Sequence, residues 1–285
     1  MSSPRSRRAK AVRAAAVAGA VLGLAFVAYQ YSMRTPVRFV DVSDSFEAAS
    51  LSRFWDTKRV VPGELTLQSD VARTGRRAVK IMIHHGDRFE AGVNGHADTE
   101  RTEMAEADRL VSREGVAYEY AFSMMLPADF PITPTRLVIA QWKQDCDGHP
   151  PCSDDSPVFA LRYMSGVLRI TRNTDRNKVT LYESSEERRG RWTDFRFQIR
   201  FTPRPDGRFR AWIDGRQALD YRGVTAYPEN AATGYPSPSL FYFKMGLYRD
   251  VMAEPMTLYI DDYRKRQLPP EALTSRCDRR SPATA

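Results

Sequence analysis

The sequence predicts an all-β fold: a single antiparallel β-sandwich of jelly-roll (concanavalin-like) type, preceded by an N-terminal hydrophobic export or anchor segment. Three observations predict it. Apolar residues between about 37 and 268 recur mainly with period two, the mark of strands that bury one face. Clusters of Gly, Pro, Asp and Asn interrupt these runs at short intervals, and outside the N-terminal segment no long apolar stripe at helical spacing occurs. Roughly 230 residues patterned in this way, without a linker or a repeat, close most simply as two packed sheets.

The 285-residue chain carries 43 Lys and Arg against 35 Asp and Glu, a formal charge of +8. Six of those cations, Arg5, Arg7, Arg8, Lys10, Arg13 and Arg34, precede residue 35, where no acid occurs, which leaves +2 on the rest. Such near-neutrality excludes a whole-surface footprint for nucleic acid and confines any basic site to a cleft. Five of the cations lead into the uncharged run Ala14 to Tyr31. That run has the apolar region of an export signal and just the length of one membrane-spanning helix. No clean small-x-small cleavage site follows, which favours an anchor slightly over a cleaved signal. Residues 1–35 are assigned to this segment, 36–270 to the sandwich and 271–285 to a polar tail. Either form of the segment places the sandwich outside the cytoplasm, where a monomer is expected.

Within the sandwich, Val79, Ile81 and Ile83 alternate with Lys80, Met82 and His84, and His84 and His85 read as strand-end residues. Tyr118, Tyr120, Phe122 and Met124 alternate with Glu119, Ala121 and Ser123 until Leu126 to Pro131, a proline-marked exit from a sheet. Phe195, Phe197, Ile199 and Phe201 share one face of the next clear strand. After the turn Pro203 to Gly207, Phe209, Ala211 and Ile213 repeat the pattern, and Asp214-Gly215 closes a second tight turn.

Cys146 and Cys152 bracket a short loop whose Gly and Pro turn the chain tightly, and an oxidising compartment favours a disulfide between them, leaving Cys277 unpaired. A metal site of Cys146, His149 and Cys152 is the alternative, with only three soft ligands in sight. No cofactor is expected. The acidic stretches Asp145 to Asp155 and Asp261-Asp262 offer oxygen ligands to a structural calcium ion, but solvated turns are the plainer reading.

Three segments place polar residues at i, i+2 and i+4, where they project together from one sheet face. In Thr99 to Glu106, Arg101 and Glu103 share a face opposite Thr102 and Met104. In Leu137 to Gln144, a buried strand ends abruptly in polar residues, with Gln141 and Lys143 on one face and Trp142 on the other. In Leu240 to Arg249, Tyr242, Lys244, Gly246 and Tyr248 line one face while Phe243, Met245 and Leu247 line the other. A solvated ion pair, a frayed strand and wetted tyrosine hydroxyls would account for most of this. They leave Lys244 between two tyrosines unexplained, and Gly246 leaves room where a substrate could approach the backbone.

In this order the three segments resemble the jelly-roll polysaccharide lyases: the alginate lyases, and more closely the glucuronan lyase and heparin lyase I type of domain. The family pattern of Arg-x-Glu, Gln-x-His and Tyr-x-Lys-x-Gly-x-Tyr stands here as Arg101-Thr102-Glu103, Gln141-Trp142-Lys143 and Tyr242 to Tyr248. The resemblance extends over about residues 38 to 268. It implies cleavage of an acidic, uronate-containing polysaccharide by β-elimination, to give an unsaturated uronate end. Arg101 and Gln141 would hold the carboxylate and steady the charge that develops on it. Tyr248 would carry the proton, and Lys244, with Tyr242 and Glu103 on the same face, would bind the substrate.

Lys143 departs from the family pattern, because an ordinary lysine is protonated at neutral pH and is no base unless its pKa is lowered. Either Lys143 only neutralises the carboxylate and Tyr248 serves as base and acid, the simpler reading, or Lys143 is itself the base. His96 is a second candidate for the missing imidazole. A glycoside hydrolase would need a pair of carboxylates on one face, whereas period two divides Glu100, Glu103 and Glu106 between faces. A non-catalytic carbohydrate-binding domain of the same fold stays open as the alternative.

Overall fold

The computed structural model describes residues 39–88, 98–145, 156–174, 178–229, 235–236 and 238–273. The export or anchor segment, His96, Cys146, His149, Cys152 and Cys277 lie outside the described residues. Strands β1 (Asp41–Asp44), β2 (Trp55–Asp56), β3 (Leu65–Gln68), β4 (Ala78–Ile83) and β5 (Thr99–Glu106) come first. A 3-10 turn over Asp108–Leu110 leads to β6 (Ser112–Arg113), β7 (Ala117–Leu126), β8 (Leu137–Gln144) and β9 (Phe159–Met164). Then follow β10 (Val167–Asn173), β11 (Lys178–Ser184), β12 (Arg191–Arg200), β13 (Arg208–Ile213) and β14 (Arg216–Arg222). The long strands β15 (Leu240–Asp250) and β16 (Met256–Gln267) and a 3-10 turn over Pro270–Leu273 complete the order, so the all-β expectation holds for the described residues.

The strands form two sheets. One runs β14-β13-β12-β7-β16-β4-β3 with β1 added to β16; the other runs β11-β10-β9-β8-β15-β5-β2 with β6 added to β15. All the strand ladders are antiparallel. Period-two patterning explains the layering, since each strand buries every second residue against the opposite sheet. In the first sheet Phe122 faces Phe195 and Tyr120 faces Phe197 across the β7–β12 ladder, while Val79, Ile81 and Ile83 of β4 are fully buried. Trp142 of the second sheet joins the layers, its ring 4.9 Å from both Phe197 and Phe243 and 5.6 Å from Tyr120. Each such aromatic pair adds about 0.5–1.5 kcal/mol beyond its area burial.

The core also contains charge. Glu106 on β5 and Lys265 on β16 pair at 2.8 Å with no exposure of either side chain. Tyr263 donates to Glu106 and Lys265 donates to the Leu110 carbonyl, so the pair is enclosed by hydrogen bonds. Burial nevertheless raises the Glu106 carboxyl and lowers the Lys265 ammonium from their ordinary values. Nearer the cleft end of β5, Glu100 binds Arg249 at 2.8 Å, again with both side chains fully buried. These pairs link β5 to β16 and to β15.

Removing one member of a buried pair leaves an uncompensated charge, which costs about 3–5 kcal/mol. Lys265→Met is therefore expected to lower the free energy of urea unfolding by that amount. The double variant Glu106→Gln, Lys265→Met should recover most of the loss, and an unchanged midpoint in the single variant would show that the pair contributes nothing.

Candidate active site

The site lies on the face of the second sheet turned away from the core, and it follows from register. On β15 the residues Phe241, Phe243, Met245, Leu247 and Arg249 are buried towards the first sheet, which leaves Tyr242, Lys244, Gly246 and Tyr248 on the other face. Antiparallel pairing sets Arg101 of β5 opposite Tyr248, and sets Gln141 and Lys143 of β8 opposite Lys244 and Tyr242. Three central strands thus bring together Arg101, Glu103, Gln141, Lys143, Tyr242, Lys244 and Tyr248, the residues singled out in the sequence. The ladder between β8 and β15 slips between Val138 and Ala140. Because of that slip Val138 and Gln141 both line the cleft, although strict alternation would put them on opposite faces.

Gly246 sits at this irregularity with φ of 143°, and a Cβ there would meet the Thr102 carbonyl oxygen at 2.3 Å and the Glu103 Cα at 2.8 Å. The close approach at Gly246 is therefore that of the β5 backbone, where the sequence had suggested a substrate.

Glu103 organises the site. Its carboxylate is fully buried beneath the groove. Gln141 Nε2 donates to Oε1 at 2.5 Å, while Lys244 Nζ and Arg101 Nε lie 3.3 and 3.4 Å from Oε2. Burial works against the ionised form, but Lys244 and Arg101 outweigh it and hold the Glu103 carboxyl below its ordinary range. Lys244 is itself 2% exposed. Burial brings its ammonium down to about 7 against the pull of Glu103, with Arg101, Lys143 and Arg59 pushing the same way. Burial raises the Tyr242 phenol to about 12. Tyr248 has a different setting: its ring is covered by two guanidinium groups, Arg101 at 4.0 Å and Arg136 at 4.6 Å from the centroid. Such cation–π contacts hold the ring in place, and Tyr248 lines the cleft.

The cleft has a volume of about 270 Å³. Arg101, Arg136, Lys143, Arg162, Lys178 and Lys244 line it together with Gln141 and Tyr248, and among the described residues no carboxylate does. Glu103 reaches a ligand only through the groups it holds. Sequence reasoning missed Arg136, Arg162 and Lys178. Arg162 stands in the outward phase of β9, between the buried Leu161 and Tyr163, but alternation cannot tell which strand will lie beside β8.

The only group of His, Cys, Asp and Glu side chains compact enough for a metal among the described residues is Glu64, His84 and Asp87. It lies at the ends of β3 and β4, and His84 Nδ1 is already 3.2 Å from Glu64 and 3.5 Å from Asp87. Of the oxygen donors considered for calcium, those of Asp261 accept the backbone N–H groups of Arg73, Thr74 and Asp262.

Sandwich and cleft define the class first: a jelly roll whose outward sheet face carries a cationic, proton-bearing groove. The polysaccharide lyase family profile matches residues 46–264, and the chain belongs to that family. It is thus a polysaccharide lyase. No curated protein matches the chain. Among solved structures it is similar to an endo-β-1,4-glucuronan lyase from the fungus Trichoderma reesei, with a TM-score of 0.56 and 17% identity over 75% of this chain and 95% of that one. It is also similar to the cellulose induced protein Cip1, with a TM-score of 0.52 and 15% identity over 79% and 96% of the two chains. The alginate lyase A1-II', a member of polysaccharide lyase family 7, gives a TM-score of 0.51 and 12% identity over 72% and 83%. These likenesses establish the shared fold.

Because burial brings the Lys244 ammonium down to about 7, a share of it is neutral at about pH 8, and an anion arriving beside it favours recapture of the proton. Binding of an acidic polysaccharide at that pH should therefore take up a proton. Calorimetric heats should vary with the ionisation enthalpy of the buffer for the wild type and not for Lys244→Met; equal dependence in both would remove Lys244 from the site's proton balance.

Proposed function

We propose that this polysaccharide lyase cleaves a uronate-containing polysaccharide by β-elimination, leaving an unsaturated uronate end. One observation carries the reading. A guanidinium, an amide and an ammonium group converge around buried Glu103, beside a tyrosine clasped by two guanidiniums, in a cleft that among the described residues no carboxylate lines. Such an arrangement suits an anionic substrate whose negative charge grows during reaction. Two of the structures it resembles bear the names of a glucuronan lyase and an alginate lyase, and an acidic polymer of that kind is the substrate class proposed. It is met outside the cytoplasm, in agreement with the export or anchor segment expected over residues 14–31.

Elimination needs the C5 proton removed, the C4–O bond broken and the departing O4 protonated. In our reading Arg101, Gln141 and Lys143 take the uronate carboxylate and stabilise the enolate-like charge as the C5–H bond weakens. One hydrogen of the Gln141 amide is committed to Glu103, so the other is available to that carboxylate. Tyr248, acting as its phenolate, accepts the C5 proton, the electron pair of the C5–H bond forms the C4–C5 double bond as the C4–O bond breaks, and the phenol so formed returns the proton to the departing O4. Glu103 keeps Lys244 and Arg101 in place without touching the sugar.

The reaction is followed by the ultraviolet absorbance of the unsaturated product on glucuronan, alginate, heparin and pectate. Tyr248→Phe keeps the ring between its two guanidiniums and deletes only the hydroxyl, so turnover should fall by about a hundredfold or more while binding persists. A Phe variant as fast as wild type would overturn the assignment. Lys143 is tested separately. If it only neutralises charge, Lys143→Arg should stay active and Lys143→Ala should bind weakly, whereas a base at this position would make the arginine variant as inactive as alanine, since a guanidinium does not deprotonate in this range.

A further inference from the structure

Tyr248 is held by a chain of contacts that ends in a carboxylate the reaction does not use. Asp250 follows it by two residues on β15, so the two side chains leave the same face of the strand about 7 Å apart. The Arg136 guanidinium bridges them. Its central carbon lies 4.6 Å from the Tyr248 ring centroid, while Nε and Nη2 both reach Asp250 Oδ1, at 2.8 and 2.6 Å. The Asp250 backbone N–H also donates to the Arg136 carbonyl, at 3.1 Å. Two nitrogens of a planar group on one oxygen restrict how that group can turn.

Arg136 needs an anchor because it stands among like charges. Arg101 covers the same ring at 4.0 Å, and Lys143, Arg162, Lys178 and Lys244 line the same cleft. The repulsion is felt by the neighbours: burial, then Arg136, brings the Arg162 guanidinium down to about 10, while Tyr248 and Asp250 pull the other way. Arg136 also lowers the Lys178 ammonium, after Arg162 and burial. The Arg136 side chain is 31% exposed, so without an anchor it has water to turn to, and repulsion favours that course. Asp250, which does not itself line the cleft, supplies the opposing attraction. An ion pair this exposed adds little to folding stability. Its effect is on placement.

We propose that Asp250 is a positioning residue for the elimination: it keeps the Arg136 guanidinium on the ring of Tyr248 and so stabilises the negative charge Tyr248 carries before it takes the C5 proton. A cation on the ring attracts a phenolate more strongly than a neutral phenol, so loss of this placement should slow turnover more than it loosens the sugar. This rests on the role proposed above for Tyr248.

The test compares wild type, Asp250→Ala, Asp250→Glu, Arg136→Gln and the double variant Asp250→Ala, Arg136→Gln on whichever of glucuronan, alginate, heparin and pectate wild type cleaves. Asp250→Ala should lower kcat about tenfold with KM changed by less than about twofold, the scale of one well-placed cation–π contact. Asp250→Glu should recover most of that loss. In the Arg136→Gln background Asp250→Ala should cost nothing further, because it acts through that guanidinium. Equal losses in both backgrounds, or wild-type turnover in Asp250→Ala, would overturn the proposal. Thermal unfolding of Asp250→Ala should match wild type, and a midpoint lowered in step with activity would make Asp250 a stabilising residue instead. A readout without turnover replaces Tyr248 by fluorotyrosine in the ligand-free protein. Its fluorine resonance should shift with Asp250→Ala, return with Asp250→Glu, and stay unmoved by Asp250→Ala once Arg136→Gln is present. If wild type yields no unsaturated product from any polymer, the elimination fails and the fluorine signal still decides the anchor: a shift that depends on Arg136 supports it, and an unmoved resonance in Asp250→Ala refutes it.

Discussion

A single buried carboxylate governs the groove. Glu103 has no exposed surface, yet three donors from three strands meet on it: Arg101 from its own strand, Gln141 from β8 and Lys244 from β15. Carboxylates are expensive to bury unless paired and hydrogen-bonded, so the three donors are what keep this one ionised. The dependence also runs the other way. Lys244 is as buried as Glu103, and without that carboxylate its ammonium would be a lone charge. The sheet face presented to substrate is therefore a charged layer anchored from below, and its geometry is fixed before any ligand arrives.

The same sheet carries opposite chemistry on its two faces. Along β15 every second residue is apolar and packed against the first sheet, except for Arg249, whose charge is closed off by Glu100. Along β5 the core face carries Glu100 and Glu106, each with its own cation, and the outer face carries Arg101 and Glu103. The three glutamates thus have separate duties, and none is placed with another as a hydrolytic pair would require.

Much of this was legible in the residues. Alternation located β4, β7, β12, β13 and β15, and the exit at Leu126 and the turns at 203–207 and 214–215 mark strand ends in the structure. The Arg101, Gln141 and Lys244 segments were found because polar residues at period two on otherwise apolar strands are anomalous. What alternation cannot supply is which strands are neighbours. Arg136, in the connection before β8, and Arg162, on an unremarkable strand, enter the cleft only through the β9-β8-β15-β5 order. The slip at Val138 and Ala140 is invisible for a similar reason, since it belongs to a pairing of two strands and has no signature in either one. Gly246 was noticed but misread, because its tight neighbour is the backbone of β5.

The edge of the second sheet gives Lys178 a further significance. It opens β11, the outermost strand on that side, whose sequence Lys-Val-Thr-Leu-Tyr-Glu-Ser has high strand propensity and leaves Val179 exposed. An edge of this composition is a template for pairing with another copy, and charged side chains are the usual guard against it. Lys178 and Glu183 are the two ionisable charges on that strand. Lys178 also lines the cleft, so a neutral residue there would change the charge of the cleft and remove a guard from the edge at once.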